Sequence, residues 1–271
     1  MTDRRPIGVI DSGVGGLTVL KRLMEEMPHE RFLYLGDTAR TPYGVRSREE
    51  IVRFVGEMTG WLERQGIKEL VVACNTITVL GEKTIKGSHE FPVIGMSKGE
   101  KLVLETTRNK KIGVFATDFT VSTGAHEKAI HGVDPEVEIY PVGCTRFVPL
   151  IETEQFGSPD LKDAVLEYAD RLKAKHVDTV LLACTHYPFV EDALENVFGP
   201  EVTVVDPAEA TARTAREVLE ARGELRTDGE GYCEICFTGD PELGGRLAAR
   251  MVDMERCEVR KVELADREVQ A

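Results

Sequence analysis

The sequence predicts an α/β fold built from two similar halves, each with a parallel β-sheet. Short apolar runs rich in β-branched residues alternate with segments of helical periodicity, a pattern typical of parallel sheets covered by helices. Landmarks of the first half then recur in the same order in the second half. The chain has 271 residues, which is enough for two compact domains with a buried cleft between them.

Four strand-like runs and one clear amphipathic helix define the first half. The apolar positions of this helix recur at a spacing of three or four residues, and Gly66 follows where the pattern stops. The predicted strands are Ile7–Ile10, Phe32–Leu35, Leu70–Ala73 and Val93–Ile94, and the helix carries Ile51, Phe54, Val55, Met58 and Leu62.

Five landmarks of the first half are repeated about 105 to 111 residues later. Any two stretches of a doubly wound fold look alike to some degree, but identical Ala-Cys and Gly-x-Thr positions favour a true duplication. We therefore predict two copies of one α/β unit, related by a pseudo-two-fold axis. The repeated pairs are Ile7–Val9 with Ile112–Val114, Gly36–Thr38 with Gly143–Thr145, the helices containing Ile51 and Leu161, Val71–Cys74 with Leu181–Cys184, and Val93–Gly95 with Val204–Asp206.

The halves are not separated by a low-complexity linker, and Thr106–Lys111 is a plausible short crossing between them. After Pro207 the pattern predicts two further helices and two further strands. Periodicity does not say which half these elements join. They are a helix at Ala208–Arg222, a strand at Tyr232–Phe237, a helix capped by Asp240, and a strand at Glu258–Leu264.

Composition restricts the class of protein. The formal net charge of -13 disfavours a nucleic-acid partner, because phosphate binding needs clustered Lys and Arg. No apolar run approaches the length of a membrane span, and Met1–Pro6 leads into the first strand without a secretory signal. We therefore expect a cytoplasmic protein that does not bind membranes. Its six cysteines are then expected to be reduced thiols.

The repeat brings two cysteines to equivalent positions. Loops at the carboxyl ends of parallel strands usually form the site in such folds. Cys74 and Cys184 each follow a predicted strand of the repeat, so we expect them to face each other across a cleft. Inverting a stereocentre requires a base on one face and an acid on the other, and cysteine is suited to both roles.

Each of these cysteines also precedes a helix-like segment, whose dipole is expected to favour the thiolate. Two alternatives stay open at this point. A cysteine at the end of a strand is often only a small buried apolar residue. Asn75, Thr76 and Thr185, which could bind a carboxylate or an ammonium group, could instead cap helices.

Five motifs in this order and spacing resemble those of glutamate racemases. The resemblance spans nearly the whole chain, and the five together are highly specific, whereas one alone would be weak. The motifs are Ile10–Thr18 (IDSGVGGLT), Gly36–Gly44 (GDTARTPYG), Ala73–Thr76 (ACNT), Phe147–Glu152 (FVPLIE) and Ala183–Pro188 (ACTHYP).

The resemblance implies two flavodoxin-like domains with the active site in the cleft between them. Residues 1–97 and 208–271 would form the first domain, and residues 98–207 the second. It also implies a homodimer that needs no pyridoxal phosphate, metal or nucleotide. The expected reaction is the interconversion of L- and D-glutamate, which supplies D-glutamate for bacterial cell-wall peptidoglycan.

The resemblance further implies roles for individual residues. Cys74 would take the α-proton from D-glutamate and Cys184 from L-glutamate. Asp11 and His186 would assist the two cysteines, and Glu152 would support His186. The positions that match substrate contacts are Asp11, Ser12, Tyr43, Gly44, Asn75, Thr76, Thr117, Thr120, Thr185 and His186.

Three other functions remain in view at this stage. The same chemistry could act on aspartate or another small amino acid, because sequence does not show the depth of a pocket. Asp11–Gly16 superficially resembles a phosphate-binding loop, but Thr18 stands where a dinucleotide fingerprint has its third glycine. The fold could also serve a non-catalytic binding protein.

Some segments depart from the family pattern or invite a different interpretation. Met96–Gly99 replaces the usual Glu-Pro-Gly, and Gly143–Arg146 replaces a Cys-Pro arrangement, which leaves the domain crossing and the edge of the pocket in question. Cys233 and Cys236 have the spacing of a metal or redox motif. Strand alternation is expected to point these two thiols to opposite faces of the sheet.

Overall fold

Two parallel β-sheets form the framework of the protein in the computed structural model, which describes residues 3–86 and 89–264. Every strand pair within them is parallel. The strands are β1 (Ile7–Asp11), β2 (Arg31–Gly36), β3 (Glu69–Val72), β4 (Val93–Gly95), β5 (Lys111–Ala116), β6 (Glu138–Gly143), β7 (Thr179–Ala183), β8 (Thr203–Val205), β9 (Tyr232–Phe237) and β10 (Cys257–Lys261).

The order of the strands reveals the duplication. One sheet has the order β10-β9-β2-β1-β3-β4 and the other has the order β6-β5-β7-β8. The segment β2-β1-β3-β4 of the first sheet therefore has the same order as the whole second sheet. This arrangement confirms the predicted fold class of two similar parallel α/β units.

Helices connect the strands and cover the sheets. Three short 3₁₀ helices, at Tyr43–Val45, Tyr187–Val190 and Met254–Arg256, accompany the α-helices. The α-helices are α1 (Leu17–Glu26), α2 (Arg48–Arg64), α3 (Asn75–Lys86), α4 (Glu100–Thr106), α5 (Asp118–Thr123), α6 (Ala125–His131), α7 (Phe147–Glu152), α8 (Pro159–Lys173), α9 (Glu191–Phe198), α10 (Ala208–Arg222) and α11 (Pro241–Ala248).

Local sequence signals account for the boundaries of the long helices. Ser47 and Glu50 form a capping box at the start of α2, and Gly66 adopts a left-handed φ of 72° just after its end. Ser158 caps α8, whose first residue is Pro159. The apolar faces of α2 and α8 are buried in the protein.

The crossing between the two sheets corrects one prediction. Thr106–Lys111 is not the crossing, because α4 already packs against β7 and β8 of the second sheet. The chain leaves the first sheet at the end of β4 and crosses at Met96–Gly99, where Gly99 has a left-handed φ of 71°. Sequence periodicity alone could not separate a helix of seven residues from a linker.

The segment after Pro207 returns to the first sheet. Strands β9 and β10 extend that sheet beyond β2, and α10 packs on α1. The last strand ends at Lys261 rather than at the predicted Leu264. The domain boundaries at residues 97, 98, 207 and 208 stay a prediction, and residues 1–2, 87–88 and 265–271 of these ranges lie outside the described residues.

The two halves share a continuous core. One hydrophobic cluster joins Val14 and Leu17 from the first half to Phe147, Leu182 and Tyr187 from the second. The carboxyl ends of β1 and β3 therefore lie close to the carboxyl end of β7, where the loops of both halves meet. Within the described part of the chain, no helix is both long and apolar enough to cross a membrane.

Candidate active site

Cys74 and Cys184 occupy equivalent positions in the two halves. Cys74 lies two residues after β3 and immediately before α3, and Cys184 directly follows β7. Their side chains are only 4% and 6% exposed, and both line the same cavity between the halves. Two thiols from the two copies of the repeat thus reach one enclosed space.

The walls of this cavity consist of hydroxyl, amide, thiol, imidazole and apolar groups. Among the described residues that line it there is no Lys or Arg. The volume open to a water-sized sphere is about 20 Å³, which is close to that of one water molecule. In this closed form the cavity is therefore too small to hold an amino acid. The wall residues are Ser12, Pro42, Tyr43, Gly44, Cys74, Asn75, Thr76, Thr117, Val148, Cys184, Thr185 and His186.

Asp11 and Ser12 surround Cys74. The Cys74 thiol donates a hydrogen bond to Ser12 Oγ at 3.6 Å. Asp11 is fully buried, and its carboxylate accepts hydrogen bonds from the Gly13 N–H at 2.8 Å and from Thr185 Oγ1 at 3.2 Å. Burial raises the pKa of Asp11, an effect that the charge of a nearby imidazolium opposes.

The pKa of Cys74 corrects a second prediction. Burial, and then the charge of Asp11, raise the pKa of this thiol above its ordinary value. A backbone hydrogen bond from Ile77, in the first turn of α3, acts in the opposite direction but is weaker. The expectation that the helix dipole favours a thiolate at Cys74 is therefore wrong, because desolvation outweighs the dipole.

His186 and Glu152 surround Cys184. His186 Nδ1 lies 3.9 Å from Cys184 Sγ, and His186 Nε2 lies 2.6 Å from Glu152 Oε1. The same carboxylate oxygen accepts a hydrogen bond from the Val14 N–H at 2.9 Å. Burial by itself lowers the pKa of His186, but the hydrogen bonds to Cys184 and Glu152 outweigh it and raise this pKa well above the usual value.

The loop after β1 and the start of α1 link the two sides of the site. Thr18 Oγ1 donates a hydrogen bond to the Thr185 carbonyl at 3.0 Å, and Thr185 in turn bonds to Asp11. A Cβ atom at Gly13 would collide with the Glu152 carboxylate. Only glycine therefore lets this loop of the first half approach Glu152 of the second.

A second set of contacts joins the halves on the other side of the cavity. Thr76 Oγ1 and Thr117 Oγ1 lie 3.2 Å apart, and Thr117 Oγ1 donates to Thr120 Oγ1 at 3.0 Å. A Cβ atom at Gly44 would lie 3.1 Å from the Thr117 side chain. Asn75 Nδ2 is buried without a hydrogen-bond partner among the described residues, so it can donate to a ligand.

Comparisons with known proteins show the family of the chain. A family model described as Asp/Glu/Hydantoin racemase matches residues 7–215. The chain belongs to the Asp/Glu/hydantoin racemase family. This assignment confirms the family predicted from the motifs and the prediction that the protein is a racemase, a type of isomerase.

Relatives in this racemase family match the chain over nearly its full length. Glutamate racemase 2 of Caldanaerobacter subterraneus is 39% identical over 263 residues, covering 97% of this chain and 98% of that protein. The crystal structure of glutamate racemase isoform RacE1 from Bacillus anthracis has a TM-score of 0.89 at 32% identity, with 97% and 98% of the two chains covered. The structure of the Francisella tularensis glutamate racemase in complex with D-glutamate has a TM-score of 0.84 at 30% identity, with 97% and 98% covered.

The predicted site residues of this racemase lie either on the cavity wall or directly behind it. Asp11, Glu152 and Thr120 are behind the wall and reach it through Thr185, His186 and Thr117 respectively. Sequence reasoning missed Pro42 and Val148, which line the cavity. Both stand within the recognised motifs, but their apolar side chains carry no chemistry that would single them out.

Sequence reasoning also missed the residues that hold Tyr43. The Tyr43 hydroxyl donates a hydrogen bond to Asp37 Oδ2 rather than facing the cavity. Arg40 bonds to the same oxygen at 2.6 Å, and Thr238 Oγ1 donates to the other Asp37 oxygen at 2.8 Å. Tyr43 therefore lines the cavity while its hydroxyl is bound to Asp37. The Gly36–Gly44 motif was the available signal for Asp37.

The Cys-x-x-Cys spacing does not form a site of its own. Cys233 packs in the core cluster shared by the halves, and Cys236 packs in a different cluster on the other face of the first sheet. This confirms the expected alternation. Among the described residues, no group of three or more His, Cys, Asp or Glu side chains is placed to hold a metal ion.

Proposed function

We propose that the protein interconverts L- and D-glutamate without a cofactor, by moving the α-proton between Cys74 and Cys184. The observation that carries this proposal is that both thiols line one cavity between duplicated halves. Glutamate as substrate is supported by relatives named glutamate racemase and by a related structure that contains D-glutamate.

The polar groups of the cavity suit an amino acid with two carboxylates. Helix α3 begins at Asn75, directly at the cavity wall, so its free N–H groups and positive dipole end can hold a carboxylate. Asn75 Nδ2 supplies a further donor, and the hydroxyl oxygens of Thr76, Thr117 and Thr185 can accept hydrogen bonds from the substrate ammonium group. Because the described residues of the wall include no Lys or Arg, none of them would pair a fixed cation with a catalytic thiolate.

In the proposed L-to-D reaction, Cys184 starts as the thiolate beside the His186 imidazole, and Cys74 starts as the thiol. Burial, and then the charge of Asp11, raise the pKa of Cys74, which favours its thiol form. The Cys184 thiolate removes the α-proton of L-glutamate and becomes a thiol. Cys74 then delivers its proton to the opposite face of the carbanion, which gives D-glutamate and a Cys74 thiolate.

The reverse reaction starts from the other protonation state. A Cys74 thiolate removes the α-proton of D-glutamate, and Cys184 delivers a proton to the opposite face. Enclosure of the substrate contributes much of the rate, because orientation of reacting groups is worth about 7 to 11 kcal/mol in favourable cases. Contacts across the cleft, such as those of Thr185 and Glu152, hold the closed geometry.

The cellular role follows from the product. D-glutamate made by this reaction would enter bacterial cell-wall peptidoglycan, and the enzyme would act in the cytoplasm as a homodimer.

The deciding experiment follows the α-carbon of the substrate in heavy water. Folded, reduced protein without added cofactor should convert L-glutamate to D-glutamate and place deuterium at the α-carbon of the product. Parallel incubations with L-aspartate and L-alanine test the substrate. Inversion of aspartate in place of glutamate would overturn the choice of substrate, and absence of inversion with all three would overturn the proposal.

A further inference from the structure

Two further cysteines face each other on neighbouring strands of the first sheet. Strands β9 and β10 pair in parallel with Cys233 directly opposite Cys257, and β10 is the edge strand. Register partners in a parallel pair point to the same face of the sheet. Cys233 is fully buried in the shared core cluster, and Cys257 packs against that cluster from the edge.

The two thiols are in contact and differ in accessibility. A hydrogen bond from the Cys233 thiol lowers the pKa of Cys257 below its ordinary value. Cys257 is partly exposed, and its Sγ lies 3.1 Å from the Asp253 carbonyl oxygen. The charges of Asp253 and Arg256 act on Cys257 in opposite directions, the first raising and the second lowering its pKa. Cys257 is thus the accessible thiol of the pair.

We propose that Cys233 and Cys257 are a thiol modification site at which a low-molecular-weight disulfide produces an intramolecular disulfide. The Cys257 thiolate attacks one sulfur of the disulfide, forms a mixed disulfide and releases one thiolate. The Cys233 thiol then loses its proton and attacks Cys257 Sγ, which releases the second thiolate. The protein loses two electrons and two protons, and the small disulfide is reduced to two thiols.

The sheet geometry permits this bond. Neighbouring strands lie about 4.7–4.9 Å apart, within the Cα separation of about 4.4–6.8 Å that disulfides span. Strand β10 pairs with β9 only, so no strand on its other side opposes the small movement that would bring the two sulfurs to bonding distance. Cys236, three residues after Cys233, faces the other core and cannot replace either partner.

The pair lies away from the candidate active site. Cys233 is the second residue of β9 and Cys257 the first residue of β10, so both are near the amino ends of these strands. Cys74 follows the carboxyl end of β3 in the same parallel sheet. The modification site is therefore independent of the proposed racemase reaction, and its test does not depend on racemase activity.

The test is peptide mapping under non-reducing conditions after incubation of the folded protein with excess glutathione disulfide. The expected product is a Cys233–Cys257 cross-link whose mass is lower by two hydrogen atoms. Cys236→Ser is the matched control and should form the same cross-link. Cys233→Ser should stop at a stable glutathione adduct on Cys257, because the second thiol is missing.

A second variant keeps the test decisive if Cys233→Ser does not fold. Cys257→Ser changes a partly exposed side chain, and its Cys233 should stay unmodified under the same conditions. Circular dichroism checks the fold of each variant. The proposal is overturned if the unaltered protein accumulates a stable adduct on Cys257, if neither thiol reacts, or if the cross-link joins Cys233 to Cys236.

Discussion

The surroundings of Cys74 and Cys184 differ although their places in the fold are equivalent. Each follows the corresponding strand of a duplicated sheet, but Cys74 has a carboxylate beside it and Cys184 has an imidazole held by Glu152. A negative neighbour disfavours a thiolate and a positive neighbour favours it. The duplicated backbone thus places two thiols symmetrically, and the neighbouring side chains give them different electrostatic surroundings.

These surroundings depend on contacts between the halves. The Glu152 carboxylate accepts a hydrogen bond from the Val14 N–H of the first half, and Asp11 accepts one from Thr185 of the second. Both contacts cross the cleft, so the surroundings of each thiol are built from residues of both halves.

The largest expected effects come from removal of either thiol. Cys74→Ser and Cys184→Ser should each lower racemisation by about 10³-fold or more, because each removes one acid–base group. The two variants should differ in the exchange that remains in heavy water. Cys74→Ser should still exchange the α-proton of L-glutamate, and Cys184→Ser that of D-glutamate, as measured by NMR of each recovered enantiomer.

Cys257→Ser serves as the control for this experiment, because its thiol lies at the edge of the first sheet, away from the cavity. It should leave racemisation unchanged. If either cavity variant exchanged both enantiomers equally, the assignment of one thiol to each face would be wrong.

The next largest effect concerns the imidazole beside Cys184. The pKa of His186 is raised by Cys184 and Glu152, so the imidazolium persists to high pH and is lost as pH rises through that pKa. Glu152→Gln removes a negative charge and should lower this pKa. The kcat for L-glutamate should then decline at a lower pH than in the unaltered protein, and by about tenfold or more at high pH.

His186→Asn tests the same pair more severely. It should reduce kcat for L-glutamate at all pH values and remove the alkaline decline that His186 causes. Pre-steady-state exchange with each enantiomer is the measurement, because the equilibrium constant limits how far kcat/KM can differ between directions. Equal losses of exchange for both enantiomers would count against a specific partnership with Cys184.

A smaller effect is expected on the Cys74 side. The carboxylate of Asp11 raises the pKa of Cys74, so Asp11→Asn should lower this pKa and favour the thiolate. The acidic limb of the pH profile for D-glutamate should move to lower pH by about one unit. Asparagine can still accept the Gly13 N–H hydrogen bond, which preserves the loop. A profile that moves to higher pH would contradict this role of Asp11.

The positions of the two thiols could be predicted from sequence, but the direction of the pKa shift of Cys74 could not. Landmark spacing gave the duplicated sheets, because strand ends and turn residues are local signals. The pKa of Cys74 depends on how much water burial removes from the thiol. The position of the Tyr43 hydroxyl depends on Asp37, which in turn is held by Thr238 from a distant segment of the chain. Such terms need the packed structure, and the helix dipole alone predicted the wrong direction for Cys74.

Substitution of Glu69, the first residue of the strand that leads to Cys74, is expected to have the smallest effect on catalysis but a measurable effect on stability. Glu69 and Thr179 are equivalent positions of the repeat, pairing with Ile7 and Ile112 respectively. Glu69 is buried, and both its carboxylate oxygens have no hydrogen-bond partner among the described residues. Thr179, by contrast, donates its hydroxyl hydrogen to Asp178.

Burial raises the pKa of Glu69 from 4.5 to about 8. The unfolded chain therefore releases this proton at a lower pH than the folded protein, and the free energy of unfolding falls as pH rises from about 5 to 8. Glu69→Gln should remove this loss. Between pH 5 and pH 8, the free energy of unfolding of the unaltered protein should therefore fall by about 2–4 kcal/mol more than that of the variant. Urea unfolding at the two pH values measures the difference, with the exposed Glu105→Gln as control. If the free energy of unfolding depended on pH in the same way in all three proteins, Glu69 would already be ionised in the folded state. The racemase kcat is expected to be the same in all three.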